Sequence, residues 1–442
     1  MSLPSLSVLL PNYNHAHFVG LAIKAILAQT VQPLEIIIVD DGSTDESLEV
    51  IEPFARRHRH IRILRNETNR GVNYSLNRAL SVARGEYVYG AAADDQVLPG
   101  FFERSLRLLA QHPQAALCCS YPSRIDAVTG AVTPHALNWG THDCYLPPEQ
   151  LAAVMGGHAV PGHSSIARRD AFVEMGGWNS ELQWFTDWYA LQVMAFRYGV
   201  CFIPATLALF RSSLASFYST GVRNWEMQSR AVTSLLRRLQ SPECQDVIPL
   251  FQRSGVLREI GMDAVRVLAL QPEFRTPELL GMLKPLIVRS ARRMLRDADP
   301  RMRVGTAELL GTLGGGAWPL LPTLVAARRD PVPESSQAAS AAVDHILGWA
   351  GVQGRQALIA SLMVANFARH YLKVWLKPPV SWAYRTVNLK LYHHMDRAEA
   401  QMFECHRALA QDRDETARLL RGLRETLEAA SDDGLRRHAQ AA

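Results

Sequence analysis

Two apolar runs near the start of the chain stop abruptly in polar residues. Ser7-Val8-Leu9-Leu10 ends in Pro11-Asn12-Tyr13-Asn14, and Ile36-Ile37-Ile38-Val39 ends in Asp40-Asp41-Gly42-Ser43. Apolar runs without alternation read as strands buried on both faces, the pattern of a parallel sheet. Between them the apolar positions recur at helical spacing from about Phe18 to Gln29. A second helix is expected after Asp40-Asp41, with Ser43 or Thr44 as N-cap and Glu46 in its first turn. Further on, a strand over Ile61–Leu64, a turn at Asn69-Arg70-Gly71, a helix over Asn73–Ala83 and a strand over Tyr87–Ala91 continue the alternation. Strands that alternate with helices predict an α/β fold: an open, mostly parallel sheet with helices on its faces.

From about Trp225 the strand patterns stop, which predicts an all-α carboxyl-terminal region. Two stretches there, Asp297–Gly311 and Arg329–Gly348, each carry Asp-Pro and end in Leu-Gly, similar to HEAT-type helical hairpins; a generic bundle is the other expectation. Leu391, Met395, Ala398, Met402, Cys405 and Leu409 form a heptad seam that resumes at Leu420, Leu423 and Leu427. The expected domains are 1–224, 225–390 and 391–430, with the last a candidate coiled coil and residues 391–427 a candidate homodimer contact.

Charge matters mainly by where it sits. The net charge of +5 over 442 residues is modest, and no nucleic-acid partner is expected from it. Between Asp344 and Asp396, however, no acidic residue occurs, while Arg355, Arg369, Lys373, Lys377, Arg385 and Lys390 interleave with Phe367, Tyr371, Trp375, Trp382 and Tyr384. That composition over 355–390 suits peripheral contact with an anionic membrane. The six cysteines form no CxxC pair, so a zinc site is not expected and a reducing compartment is. Met1–Ser5 runs into the first strand without a signal-peptide pattern, and the best apolar window, Leu313–Ala327, is short and holds Pro319 and Pro322. A cytoplasmic protein, peripheral on the inner membrane face if it touches one, is the expectation.

Strand tips carry the chemistry of open α/β sheets, because ligands bind at the carboxyl edge. Here the tips are Asn, Tyr and paired Asp. No GxGxxG and no GxxxxGK[ST] loop is present, so the site resembles a nucleotide-sugar pocket more than that of a dehydrogenase or a P-loop enzyme.

These tips, together with Gly85–Asp95, Gly162-His163-Ser164-Ser165, and Gly176-Gly177-Trp178-Asn179 followed by Thr186-Asp187-Trp188, resemble the family 2 glycosyltransferases. The resemblance covers roughly residues 5–215 and implies the GT-A fold. It implies inverting transfer of a sugar from a nucleotide diphosphate sugar to an acceptor hydroxyl, in surface polysaccharide, lipopolysaccharide or protein glycosylation. A Mg²⁺ or Mn²⁺ ion is implied at Asp94 and Asp95. The family's DxD motif departs from pattern, since Ala92 stands where its first Asp would be. Asp187 matches the general base. Pro11, Tyr13, Asn14, Asp40, Asp41, Arg70, Asn77, Asp94, His163 and Arg211 match positions around the donor. No QxxRW motif appears, so a single sugar or short repeat is expected rather than an extruded polymer. The alternative is a degenerate transferase domain acting as a scaffold, which the presence of Asp94 and Asp187 disfavours.

Overall fold

The computed structural model describes residues 2–126, 129–212 and 217–349. Its strands are β1 (Leu6–Asn12), β2 (Glu35–Asp40), β3 (Ile61–Arg65), β4 (Tyr87–Gly90), β5 (Gln96–Val97), β6 (Leu117–Ser120), β7 (Ser123–Asp126), β8 (Val132–Thr133), β9 (Cys144–Leu146), β10 (Ser165–Arg168), β11 (Val200–Ile203) and β12 (Ala208–Ser212). Between and after them run helices α1 (Ala16–Leu27), α2 (Ser47–Arg57), α3 (Val72–Leu80), α4 (Phe101–Gln111), α5 (Pro148–Val154), α6 (Arg169–Glu174), α7 (Thr186–Tyr198), α8 (Phe217–Arg223) and α9 (Trp225–Leu239). The helical remainder is α10 (Ile248–Ser254), α11 (Met262–Leu270), α12 (Pro277–Met294), α13 (Pro300–Leu313), α14 (Leu321–Ala327) and α15 (Pro333–Trp349).

The large sheet has the order β3-β2-β1-β4-β10-β6-β11-β9. Strands β1 to β4 are mutually parallel where they pair, while β10 runs antiparallel to both its neighbours and β9 antiparallel to β11. This is the expected mixed α/β sheet of a GT-A domain. A second sheet, β5-β12-β7-β8, lies outside the sequence expectation. Two of its strands are two residues long, too short to leave a period.

The predicted buried runs form the core. Val8, Leu9, Leu10 and Ile36 to Val39 have no exposed surface. A carboxylate is buried beside them: Glu35, at the start of β2, accepts from Ser7 Oγ at 2.8 Å and from the Arg84 N–H at 2.7 Å, with Arg62 and Arg84 guanidinium groups nearby. Burial pushes its pKa up, but these donors outweigh it and hold the carboxyl below its ordinary value.

The expected N-cap of the second helix is corrected. Neither Ser43 nor Thr44 caps α2, which begins at Ser47. Ser43 Oγ instead accepts from the Asn14 N–H and Asn12 Nδ2, and Asp45 Oδ1 accepts from the Ser47 N–H. The polar residues after β2 are drawn to β1, and the N-cap position of α2 falls to Glu46, whose side chain makes no capping bond.

Strands give way to helices near residue 225, yet the described residues up to Leu309 form one compact unit, and those from Leu310 on belong to a second. Within the first unit Phe251 on α10 packs on Phe196 of α7, and Trp184 Nε1 donates to Gln228 Oε1 on α9. Within the second, Gly311 lies close to Ala342 of α15. Of the two Asp-Pro pairs, Asp299-Pro300 opens α13, while Asp330-Pro331 precedes α15, which starts at Pro333. Among the described residues one run, Pro300–Ala327, is long and apolar enough to cross a membrane by length and composition, beyond the Leu313–Ala327 window seen in the sequence. It is made of α13, a 3-10 segment and α14, and core helices have the same property. The acid-free interval 355–390 and the heptad seam 391–427 lie outside the described residues.

Candidate functional site

At the carboxyl ends of β1 and β2, Asp40 and Asp41 are buried and bonded within the fold. Asp40 accepts from the Ser43 N–H at 3.2 Å and Asn12 Nδ2 at 3.3 Å, and lies 3.7 Å from Arg65 Nε. Asp41 accepts from Asn66 Nδ2 at 2.6 Å and from the N–H groups of Arg70 at 2.9 Å and Gly71 at 2.8 Å. Both carboxylates therefore hold the turns that follow β2 and β3. Pro11 pairs with Val39 inside the sheet, while Tyr13 and Asn14 are exposed beyond β1. Asn14 has φ 54°, which asparagine tolerates, and its Oδ1 accepts from the Thr44 N–H, clipping β1 to the next loop. Arg70 is exposed, its guanidinium 4.4 Å from the Tyr74 ring centre.

Beyond β4 the chain turns through Ala92-Ala93-Asp94-Asp95. The Arg211 N–H on β12 donates to Asp95 Oδ1 at 2.8 Å and Arg211 Nε to the Asp94 carbonyl at 3.2 Å. The same guanidinium stacks 5.0 Å from the Phe18 ring on α1. Burial, with the Asp94 charge adding to it, pushes Asp95 up to about 7. Among the described residues no group of three His, Cys, Asp or Glu could hold a metal ion. Two adjacent carboxylates do fit a hard divalent cation, because Mg²⁺ takes one or two carboxylates and completes its shell with water and substrate phosphate.

Asn77 is bonded within the fold. Its Nδ2 donates to the Trp178 carbonyl at 2.7 Å and its Oδ1 accepts from the Trp178 N–H at 2.9 Å. Both ends of the amide are engaged by one residue's backbone, so Asn77 clasps the Gly-Gly-Trp turn. Gly177 has φ +62°, and a Cβ there would lie 2.6 Å from Asn77 Oδ1. Two requirements thus converge on glycine at this position.

Asp187 stands in the first turn of α7, half-buried. Its Oδ1 accepts from the Trp188 N–H at 2.7 Å. Its Oδ2 occupies the space where a Cβ of Gly162 would be, so only glycine admits the carboxylate here. Burial raises its pKa above the ordinary value, against the backbone N–H donors that lower it. Next to Gly162, His163 packs its ring 4.7 Å from Phe210, and its carbonyl accepts from the buried Tyr89 hydroxyl at 3.0 Å. Its Nε2 is buried with no hydrogen-bond partner among the described residues, and burial pushes the imidazole down to about 4. A neutral ring is suited to a sugar hydroxyl rather than to a phosphate.

Two lines of contact thus join the strand tips to Asp187. One runs from Asp95 through Arg211, Phe210 and His163 to Gly162. The other runs from Asp41 through the Arg70-Gly71 turn to Asn73, whose Nδ2 donates to the Gln183 carbonyl at 3.0 Å. Gln183, four residues before Asp187, has φ 52° and ψ −118°, a strained conformation for a residue with a Cβ. Asn73, Gln183, Tyr89 and Asn66 carry no signal of this role in the sequence, because each acts through a bond to a distant residue.

Residues 7–176 match the family described as glycosyl transferase family 2. The matched span, less than half of the chain, is similar to that family and holds β1 to β10. Among curated relatives, the uncharacterized glycosyltransferase YibD of Escherichia coli (strain K12) is 40% identical over 98 residues, 22% of this chain and 28% of that protein. The chondroitin synthase of Pasteurella multocida (strain Pm70) is 31% identical over 138 residues, 31% of this chain and 14% of that protein. The chain spans less than a third of the length of either relative. Among solved structures, S. aureus TarS 1-349 is similar at a TM-score of 0.47 and 14% identity, covering 78% of this chain and 90% of that one.

Proposed function

We propose that this protein transfers a sugar from a nucleotide diphosphate sugar to an acceptor hydroxyl, with inversion at the anomeric carbon. The observation that carries the reading is Asp187: a carboxylate at a helix N-terminus, raised in pKa and seated against Gly162, joined by contacts to the polar strand tips. As the acceptor oxygen attacks, Asp187 takes its proton, and a raised pKa makes the carboxylate a stronger base. The start of α7 and the Trp188 N–H keep it anionic between turnovers. The nucleotide lies over the tips of β1 and β2, against Pro11, Tyr13 and the turns that Asp40 and Asp41 hold. Exposed Arg70 is suited to the diphosphate, and neutral His163 to the transferred sugar. Asp94, with Asp95 beside it, would hold a Mg²⁺ or Mn²⁺ ion. Such an ion supplies positive charge to the leaving diphosphate.

A saccharide acceptor of a surface polysaccharide, free or lipid-linked, is the class we favour, and the likeness to a chondroitin synthase supports it. The basic, aromatic composition of 355–390 supports peripheral membrane contact on the cytoplasmic side, and the heptad seam of 391–427 supports a homodimer. A hydrolysis screen over UDP-glucose, UDP-N-acetylglucosamine, GDP-mannose and dTDP-rhamnose with Mn²⁺ tests the reading. Release of nucleotide diphosphate from at least one sugar is expected. Release from none contradicts the proposal.

A further inference from the structure

One acidic residue outside the family-matched region reaches both walls of the Asp187 site. Glu259 lies on the 3-10 segment Val256–Ile260, between α10 and α11. Its Oε1 accepts from the Ala159 N–H at 2.8 Å, and its Oε2 accepts from the Trp188 indole Nε1–H at 3.3 Å. Ala159 lies three residues before Gly162, the residue whose missing side chain makes room for Asp187 Oδ2. Trp188 follows Asp187 and gives its backbone N–H to Asp187 Oδ1 at 2.7 Å. The two segments bonded by Glu259 are therefore the two between which the base carboxylate lies.

The same contact is supported around its edges. The loop before Ala159 turns through Gly156 and Gly157, both at positive φ, and a Cβ on Gly157 would lie 3.4 Å from the Gly255 carbonyl. The loop and the helical segment thus approach closely at a second point. The Trp188 ring lies 6.1 Å from Phe251 of α10, so the indole is fixed on one side by packing and at its N–H by Glu259. His158, beside Ala159, has its ring 5.2 Å from that of His135 on the same rim.

We propose that Glu259 is a positioning residue for Asp187, clasping the 159–162 loop to Trp188 so that the base carboxylate is held in one place. The inference rests on the reading of Asp187 as the base. It assigns to the helical segment a part in catalysis beyond cohesion of the fold. Loss of the clasp leaves the carboxylate present but loose, and misplacement of about 1 Å at a reacting group costs on the order of 100-fold in rate.

Glu259 is exposed, so replacing it leaves the core intact. Glu259→Gln keeps the shape but turns an amide N–H₂ toward one of the two N–H donors. Trp188→Phe removes the indole donor and part of the ring that packs on Phe251. The experiment measures kcat and donor KM for hydrolysis of the nucleotide sugars named above, in the full chain with Mn²⁺, for both variants, their combination and Asp187→Asn. Each single variant is expected to lower kcat by about 10- to 100-fold with donor KM within twofold. The double variant is expected to be no slower than the slower single one, because both changes open the same clasp between the 159–162 loop and Trp188. If Glu259→Gln fails to fold, Trp188→Phe decides alone. Turnover near wild type in both singles, or a loss that falls wholly on donor KM, overturns the proposal while an inactive Asp187→Asn keeps the base assignment. Full turnover by Asp187→Asn overturns both.

Discussion

At Asp187 two opposed effects meet. Burial favours the protonated carboxyl, while the Trp188 N–H and the start of α7 favour the anion; burial is the larger, and the pKa rises above its ordinary value. The sign of the pH dependence follows. A general base works only when deprotonated, so turnover falls as pH drops through this raised value. The acid limb of kcat against pH is therefore expected above the ordinary aspartate value of about 4. A limb at or below that value would mean that Asp187 is not the group titrating. His163 adds nothing to the neutral limb, because its imidazole, near 4, is already uncharged there.

At the scale of elements, the strand tips were the legible part of the chain. Buried parallel strands read as unbroken apolar runs, and the residues that end them fall at the carboxyl edge by topology alone. Pro11–Asn14, Asp40-Asp41 and Asp94-Asp95 all stand at such ends. What those side chains do was less legible, since hydrogen bonds join residues far apart in sequence. Ser43 turned to β1 instead of capping α2, and Asn77 bonds both ends of its amide to the Trp178 backbone. The Asn77 bonds can be tested. Asn77→Ala leaves the Trp178 N–H and carbonyl without their partner, and a loss of about 1–3 kcal/mol in urea unfolding is expected. Nucleotide affinity should change little. An unchanged unfolding midpoint with weakened nucleotide binding would return Asn77 to the ligand.

For the whole molecule, the change from strands to helices near residue 225 was visible, but the helices that follow belong to the same compact unit as the sheet up to Leu309. Glu259 was invisible for the same reason: it has no motif, and only tertiary packing brings it to Trp188. Phe251 shows how closely this unit is joined. It is wholly buried and touches both Phe196 and Trp188 of α7. Phe251→Ala is expected to destabilise the fold by about 3–5 kcal/mol, read by urea unfolding. It should also lower kcat in whatever protein remains folded, because the Trp188 ring loses its support. A normal midpoint would show that α10 packs independently of the sheet.

The central claim is that donor binding at the strand tips and proton transfer at Asp187 are separate jobs of one site. Turnover and UDP or GDP affinity measured side by side in wild type and Asp187→Asn test it most directly. The substitution keeps shape and removes basicity. Nucleotide affinity within about twofold of wild type is expected, with turnover down on the order of 100-fold or more. Turnover near wild type in Asp187→Asn would contradict the account.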